Sequence, residues 1–227
     1  ASFAYKHTRR GVFANAMVMQ SWSHLPYTMA QQLYGDYIVY SYTDAKSDGQ
    51  NLLAMGSVGK TLDFMRGSAN VNGSFNRGES HLFSESNAVN SISLGWSVGA
   101  KINGAPLRWL SFDYHIDFSN SQLRMNGVKN SWLSGMENSL LINIMPHSKW
   151  EWRIMGEHYR NELTEGKYKN VFLLDTKLVY KLNKRIELSA MLNNIFNQRT
   201  YNYTTYSQLS SFESQRWLRG RELLFTI

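Results

Sequence analysis

No cysteine occurs in this chain, only three prolines do, and no apolar run approaches the roughly 18 residues a membrane-crossing helix requires. The lack of cysteine excludes a disulfide scaffold and a thiolate metal site, and it agrees with an exported chain that must avoid adventitious bridges. The scarcity of proline excludes a proline-rich linker or low-complexity tract. A mean hydropathy of −0.40 and a hydrophobic fraction of 43% exclude a helical membrane protein. They do not exclude a membrane barrel, because alternation of apolar and polar residues halves the hydropathy signal. A basic n-region followed by an apolar h-region is missing from the start, so a mature product, a proteolytic piece or an engineered piece is expected. Acidic residues are in deficit, 17 against 24 lysines and arginines, which gives a net charge of +7. Arg9-Arg10, Lys181, Lys184-Arg185 and Arg219-Arg221 are scattered over turns and alternating positions rather than clustered. Rim contacts with anionic lipid head groups account for them, and no nucleic-acid partner is expected.

What the chain does have is a period of two. Phe172, Leu174, Thr176, Leu178, Tyr180 and Leu182 alternate with Val171, Leu173, Asp175, Lys177, Val179 and Lys181. Beyond Asn183-Lys184, Ile186, Leu188, Ala190 and Leu192 alternate with Arg185, Glu187, Ser189, Met191 and Asn193. The same holds for Val12 to Met19, for Ser91 to Ile102, for Leu110 to Phe118 and for Lys149 to Ile154. Successive side chains of a strand point to opposite faces, so one face is apolar and the other carries both signs of charge. Unpaired charge at this regularity cannot fill a sandwich core. It suits a barrel wall with lipid outside and water inside. Trp109, Trp150 and Trp152 fall beside short turns, where an aromatic girdle belongs.

Short turns are expected at Thr8-Arg10, near Gly59-Lys60, at Asn103-Pro106, at Pro146-Ser148 and at Asn183-Lys184. Longer polar stretches near 24–35, 74–87, 120–130, 161–169 and 197–213 separate them. That is the asymmetry of tight periplasmic turns and long outer loops. The phase breaks over 61–73, which reads as a bulge. The fold class is therefore all-β: an antiparallel transmembrane β-barrel segment of about eleven strands. The whole of 1–227 forms it, and the first and last strands both run toward the periplasm.

The segment LNNIFNQRTY, followed by a terminal RGRELLFTI, resembles the C-terminus of TonB-dependent outer-membrane receptors. The matching positions are Asn193, Asn194, Ile195, Phe196 and Asn197, then Arg219, Gly220 and Arg221. GEHYRNELTEGKYKNVFLLD is similar to the glycan- and peptide-importing branch. One departure is the last residue, Ile227, where the family usually ends on an aromatic; Phe225 lies two positions earlier. The resemblance implies a barrel of roughly 22 strands with a plugged lumen, of which this chain is the C-terminal half. It also implies a Gram-negative outer membrane as location and transport of an oligosaccharide, peptide or metal chelate. Its partners would be an N-terminal barrel half with the plug (in the same or a separate chain), outer-membrane lipids, TonB acting through that plug, and a surface lipoprotein lid. The plug and the TonB-contact segment have no counterpart in these residues. Asn193, Asn194, Phe196, Arg219 and Arg221 would form a barrel-closure motif, the two arginines holding the closing strand.

Candidate ligand contacts are the outer aromatics Tyr37 and Tyr40, with Tyr34 and Tyr42 nearby, and Tyr201, Tyr203, Tyr206 and Phe212. Rigid aromatic platforms stack on sugar faces or pack on peptide side chains, although Tyr40, Tyr42, Tyr201 and Tyr203 equally fit an upper girdle. Asp113, His115 and Asp117 alternate along one strand face, with Glu151, Arg153, Glu157, Asp175, Lys177, Arg185 and Glu187 as further lumen candidates. A polar lumen needs such charges whatever passes through it. A D-x-H-x-D row could orient a histidine for acid–base or metal chemistry, but no nucleophile elbow, HExxH pair or Cys/His cluster accompanies it. Gly95-Trp96-Ser97-Val98-Gly99 matches the elbow pattern yet sits mid-strand, where no strand–turn–helix follows. No enzyme, cofactor or metal is therefore expected. The alternative to transport is a non-transporting outer-membrane barrel that scaffolds an assembly or secretion complex.

Overall fold

A computed structural model of the chain describes residues 1–34, 37–44, 46–84, 87–183, 185–206 and 211–227. The strands are β1 (Ser2–His7), β2 (Val12–Leu25), β3 (Thr28–Tyr34), β4 (Tyr37–Thr43), β5 (Ser47–Leu62), β6 (Gly67–Ser84), β7 (Asn87–Leu107) and β8 (Leu110–Met125). They continue with β9 (Val128–Lys129), β10 (Leu133–His147), β11 (Trp150–Thr164), β12 (Lys167–Lys181), β13 (Glu187–Asn193), β14 (Thr200–Tyr206), β15 (Ser211–Trp217) and β16 (Glu222–Thr226). Eleven of them form one antiparallel path in the order β1-β2-β5-β6-β7-β8-β10-β11-β12-β13-β16. Among the described residues the path is open, with β1 and β16 at its two edges. The hairpin β3–β4 rises off β2 and touches β6 through a short parallel pairing, and β14–β15 forms a separate two-stranded hairpin.

The register shows that the wall is inclined. A line followed through ladder partners runs Val12, Lys60, Ala69, Ile102, Tyr114, Leu140, Gly156, Leu174. It starts at the first residue of β2 and, seven strand-to-strand steps later, lies seven residues short of the end of β12 at Lys181. That is a stagger of one residue per strand. With a rise of about 3.3 Å per residue and strands about 4.8 Å apart, the strands tilt by about 35°, the inclination of barrel strands.

Side chains on this path separate by parity. Ala16, Val58, Val98, Ile116, Leu140, Ile154, Leu178 and Phe225 lie on one face, while Asn15, Ser57, Asn72, Ser97, Asp117, Ser139, Arg153 and Lys177 lie on the other. The four hydrophobic side chains buried among the described residues, Leu123, Leu133, Val171 and Val179, all belong to the polar face, whereas Trp96, Val98, Phe118, Trp152 and Phe172 on the apolar face stay exposed. A water-soluble sheet does the reverse; an apolar face left bare is one meant for lipid. Two aromatic levels bound it. Trp109, Trp150 and Tyr180 lie by the short turns, the last two with ring centroids 4.5 Å apart. Phe75, Trp96, Phe118 and Phe172 lie at the outer level. From Trp150 to His158, beside Phe172, is eight residues, about 26 Å along the strand and about 22 Å along the barrel axis at that tilt, which matches an apolar band of about 25 Å.

Three sequence-based expectations change. The turn placed near Gly59-Lys60 lies at Asp63–Met65, where a 3-10 turn ends on left-handed Arg66 (φ 46°), so the phase break over 61–73 is this turn and no bulge. Gly67 follows because the neighbouring backbone comes so close that a Cβ there would clash with the Asn103 carbonyl and with Gly104. At Asn103-Pro106 and Pro146-Ser148 the ladders slip between Gly104 and Leu107 and between Ile144 and His147, and the turn tips follow at Arg108-Trp109 and Ser148-Lys149. Proline, lacking an N–H, is accommodated at such irregularities. Finally, much of 74–84, 120–125 and 161–164, expected as outer loop, is strand that continues beyond the apolar band. Lys184 of the expected Asn183-Lys184 turn lies outside the described residues; Asn183 Oδ1 accepts hydrogen bonds from the N–H groups of Arg185 (2.8 Å) and Ile186 (3.0 Å).

Leu140→Arg, on the lipid side near mid-wall, is expected to cost about 2–4 kcal/mol. Ser139→Arg, opposite His115 and Glu157 on the other face, is expected to be tolerated. Denaturant unfolding in lipid vesicles compares the two.

Candidate functional site

The polar face carries a charge lattice that largely satisfies itself. Lys101 and Asp113 form an ion pair of 3.0 Å, His115 Nε2 contacts the Asp117 carboxylate, and Arg153 reaches Glu151 (2.9 Å) and the Asn143 side-chain oxygen (3.1 Å). The D-x-H-x-D row is thus split: Asp113 turns to Lys101 and only Asp117 meets the histidine. Glu137 stands in register with Asp117 and Tyr159, and Tyr159 donates to Glu157 (3.1 Å). No group of three metal-ligating side chains converges among the described residues. Paired charges in a partly exposed wall keep the interior hydrated and polar without fixing strong net charge. Lys177 and Glu187 lie on the same face, and Arg185 lies in the turn before β13.

At the outer end, β14–β15 folds back over the wall rather than continuing it. Its backbone is held where Asn161 Nδ2 donates to the Asn202 carbonyl (3.1 Å) and Thr204 Oγ1 to the Leu163 carbonyl (2.8 Å). The Tyr201 ring meets Tyr159 edge-on at 5.3 Å and Tyr203 at 5.7 Å. Arg216 donates to the Tyr203 hydroxyl (3.1 Å) with its guanidinium 5.4 Å from that ring. Tyr159 belongs to the polar face, so Tyr201 and Tyr203 stand on the lumen side at the mouth, away from the lipid-facing girdle. Phe212 sits on the same hairpin and is exposed; the Tyr206 side chain lies outside the described residues. Tyr37, Tyr40 and Tyr42 are exposed on β4, a different hairpin, where Tyr42 meets Tyr27 edge-on at 5.4 Å. The Tyr34 side chain lies outside the described residues.

Nearby, buried Glu162 accepts from the Ser134 hydroxyl, the Ser134 N–H (3.0 Å) and the Gly166 N–H (2.8 Å), pinning the β11–β12 turn. It lies two residues beyond Arg160, outside the apolar band. Burial pushes its carboxyl upward, but these hydrogen bonds and one from the Tyr168 hydroxyl outweigh it and hold the pKa below the ordinary value.

The third element is a lock between the end of β13 and the start of β16. Asn194 is buried in a left-handed conformation (φ 49°). Its N–H donates to Asp175 (2.6 Å), its Nδ2 to the carbonyls of Gln198 (2.8 Å) and Arg219 (2.7 Å), and its Oδ1 accepts from Gln198 N–H (2.9 Å). Asn197, also left-handed (φ 54°), accepts from Arg221 N–H at 3.0 Å. The Arg221 guanidinium closes on the Ile195 carbonyl through Nε (3.0 Å) and Nη2 (2.6 Å). Asparagine tolerates the left-handed region and turns its amide on nearby backbone, which a tight chain reversal needs. Arg219 contributes its carbonyl, Asn193 faces Glu222 in the ladder, and Phe196 is exposed. Beneath the lock lies a lumen-side cleft of about 300 Å³ lined by Glu157, Asp175, Met191, Arg219 and Glu222. Sequence reasoning missed Tyr159 and Arg216. The parity of Tyr159 with Glu157 was an available signal; nothing in the sequence brings Arg216 to Tyr203 except hairpin pairing.

Two outcomes follow. Asn194→Asp removes both amide donors and leaves the Gln198 and Arg219 carbonyls without that partner, so a loss of about 1–3 kcal/mol is expected by denaturant unfolding. Because the Glu162 pKa is lowered in the folded chain, its contribution is complete above the unfolded value of about 4.3 and is lost as pH falls through the folded value. Faster amide exchange at 162–168 in acid, absent in Glu162→Gln, is the readout.

A family profile, that of the outer membrane protein β-barrel family, matches residues 32–226. No curated protein and no solved structure matches the chain. A tilted antiparallel wall with a bare apolar outside, a charged inside and a profile match over most of its length leads to one assignment: the chain belongs to the outer membrane protein β-barrel family.

Proposed function

We propose that the chain forms the lumen wall and outer loops of a TonB-dependent receptor that imports an oligosaccharide, a peptide or a metal chelate. The observation that carries this reading is the open eleven-strand path. Its edge strands β1 and β16 expose unpaired backbone, which in a bilayer has to be covered by further strands. The lock built on Asn194, Asn197 and Arg221 supports it, since these positions resemble the C-terminus of that group. The remaining strands and a lumen-filling plug come from outside these residues, in the same or a separate chain, and a surface lipoprotein lid fits over the mouth. Ligand stacks on Tyr201 and Tyr203, whose positions are fixed by Tyr159 and Arg216. TonB acting on the plug then opens a path along the self-paired charges of the wall. No chemical step and no resident cofactor enter this reading.

Solute uptake by cells producing the complete protein tests it. Uptake is expected to need an energised inner membrane and TonB, and Tyr201→Ala with Tyr203→Ala is expected to lower ligand affinity tenfold or more with the barrel still heat-modifiable. If removing TonB changes nothing while an outer-membrane complex co-purifying with the protein stays intact, the scaffolding reading takes its place.

A further inference from the structure

A second cleft, of about 400 Å³, opens on the opposite side of the wall from the lumen, at the outer ends of β2, β5 and β6. Two cross-strand rows build it. Trp22, Gln50 and Glu79 are ladder neighbours in one row. In the other, His24 Nδ1 contacts the Asp48 carboxylate at 2.5 Å, and His81 Nδ1 donates to the Asp48 carbonyl at 2.9 Å. Three strands about 4.8 Å apart give a floor about 10 Å wide. All six side chains share the parity of Ala16, Val18, Val58, Val71 and Phe75, and so face the same way as the lipid-facing surface. They lie just beyond it: on β2 the apolar row gives way at Gln20, and on β6 at Arg77, two residues past Phe75. Arg77 pairs with Glu79 at 3.2 Å, and the Asp48 carboxylate is engaged by the His24 imidazole. What remains is an indole that is 67% exposed, flanked by one amide, two carboxylates and two imidazoles.

That combination is chemistry for hydroxyl groups. A flat aromatic face packs against the C–H face of a pyranose ring, while planar carboxylate and amide groups take its equatorial hydroxyls side by side. The size is that of a small-molecule site. Its place identifies the carrier of the sugar. A molecule whose saccharide sits here continues, directly below, over the apolar surface of Val18, Val58 and Phe75, where acyl chains lie. We infer that the β2–β5–β6 cleft binds the saccharide headgroup of an outer-leaflet glycolipid, Trp22 stacking on a sugar ring with Gln50, Asp48 and Glu79 holding its hydroxyls.

The test uses the complete protein extracted from outer membranes in mild detergent. Glycolipid retained through purification is counted by native mass spectrometry, and deacylated core oligosaccharide from the host lipopolysaccharide is titrated while tryptophan fluorescence is followed. The variants are Trp22→Ala and Gln50→Ala, with Trp217→Ala, another exposed indole, as control, each checked for heat-modifiability. The expected result is retained glycolipid and oligosaccharide binding in the wild type and the control, both falling at least tenfold in Trp22→Ala and measurably in Gln50→Ala. Oligosaccharide binding that depends on Trp22 without retained glycolipid keeps the saccharide site and overturns its membrane source, leaving a soluble glycan as ligand. Retention that depends on Trp22 without oligosaccharide binding overturns the proposal, since acyl contact alone then explains it. Equal binding in wild type and Trp22→Ala overturns it as well. Because the cleft lies outside the lumen, uptake of a transported solute is unchanged in Trp22→Ala, so this result and that of the transport test are independent.

Discussion

Within a bilayer there is no water to take up a backbone N–H or C=O, and the whole design answers to that constraint. The ladder runs from β1 to β13 and on to β16, with slips at the proline-bearing ends of β7 and β10 beside short turns and at Glu162–Thr164, outside the apolar band. Several polar side chains on the lipid-facing side are paired in the same way. Trp152 Nε1 donates to Thr176 Oγ1 (2.7 Å). The Tyr114 hydroxyl donates to Asn138 (3.1 Å), Asn138 Nδ2 to His158 Nδ1 (3.2 Å), and His158 Nε2 to Asn170 (3.3 Å), with Phe172 stacked on the imidazole at 4.1 Å. A polar seam on a lipid face is tolerable when its members satisfy each other across strands.

How much of this was legible in the sequence depends on what lies on each side of a strand. Along β12 and β13, lipid on one side and water on the other impose strict alternation, and both strands could be read directly. Above the apolar band both faces are wet and the selection for alternation lapses. For that reason the outer parts of β6, β8 and β11 look like loops in sequence although their ladders continue. The misplaced turn at Asp63–Met65 has a different origin: left-handed Arg66 is an atypical residue for such a position, and no Asn-Gly or Pro signal marks it.

The site divides in the same way. Charges of the lumen wall are visible as parity. Their pairing is not, because it depends on which neighbours the register brings opposite, as when Asp113 turns to Lys101 instead of to His115. Tyr201 and Tyr203 fit a girdle or a mouth equally well until the hairpin is seen to fold over β11 through Asn161 and Thr204. That direction is set by tertiary contacts with no local signature. The asparagines of the lock were recognisable only through resemblance, yet their role is plain chemistry: Asn194 ties three separate segments together, its amide bonding the Gln198 and Arg219 backbones and its N–H the Asp175 carboxylate.

The detour between β13 and β16 also bears on how the wall is made. Most neighbouring wall strands are joined by short connections, and at β7–β8 pairing begins three residues apart at Leu107–Leu110. In β13–β16, by contrast, even the nearest partners, Asn193 and Glu222, are 29 residues apart. Contact order therefore rises at the final strand, as it does at β2–β5, where the nearest partners Leu25 and Ser47 are 22 residues apart, and the loop-closure entropy falls on these two steps. From β5 to β13 the sheet can zip up hairpin by hairpin, while β16 has to wait until β14–β15 has found its seat on β11 and brought Arg221 within reach of Ile195. Maturation of the mouth and arrival of the last strand are thus one kinetic event, and a chain whose outer hairpin is misfolded leaves that edge of its sheet unfinished.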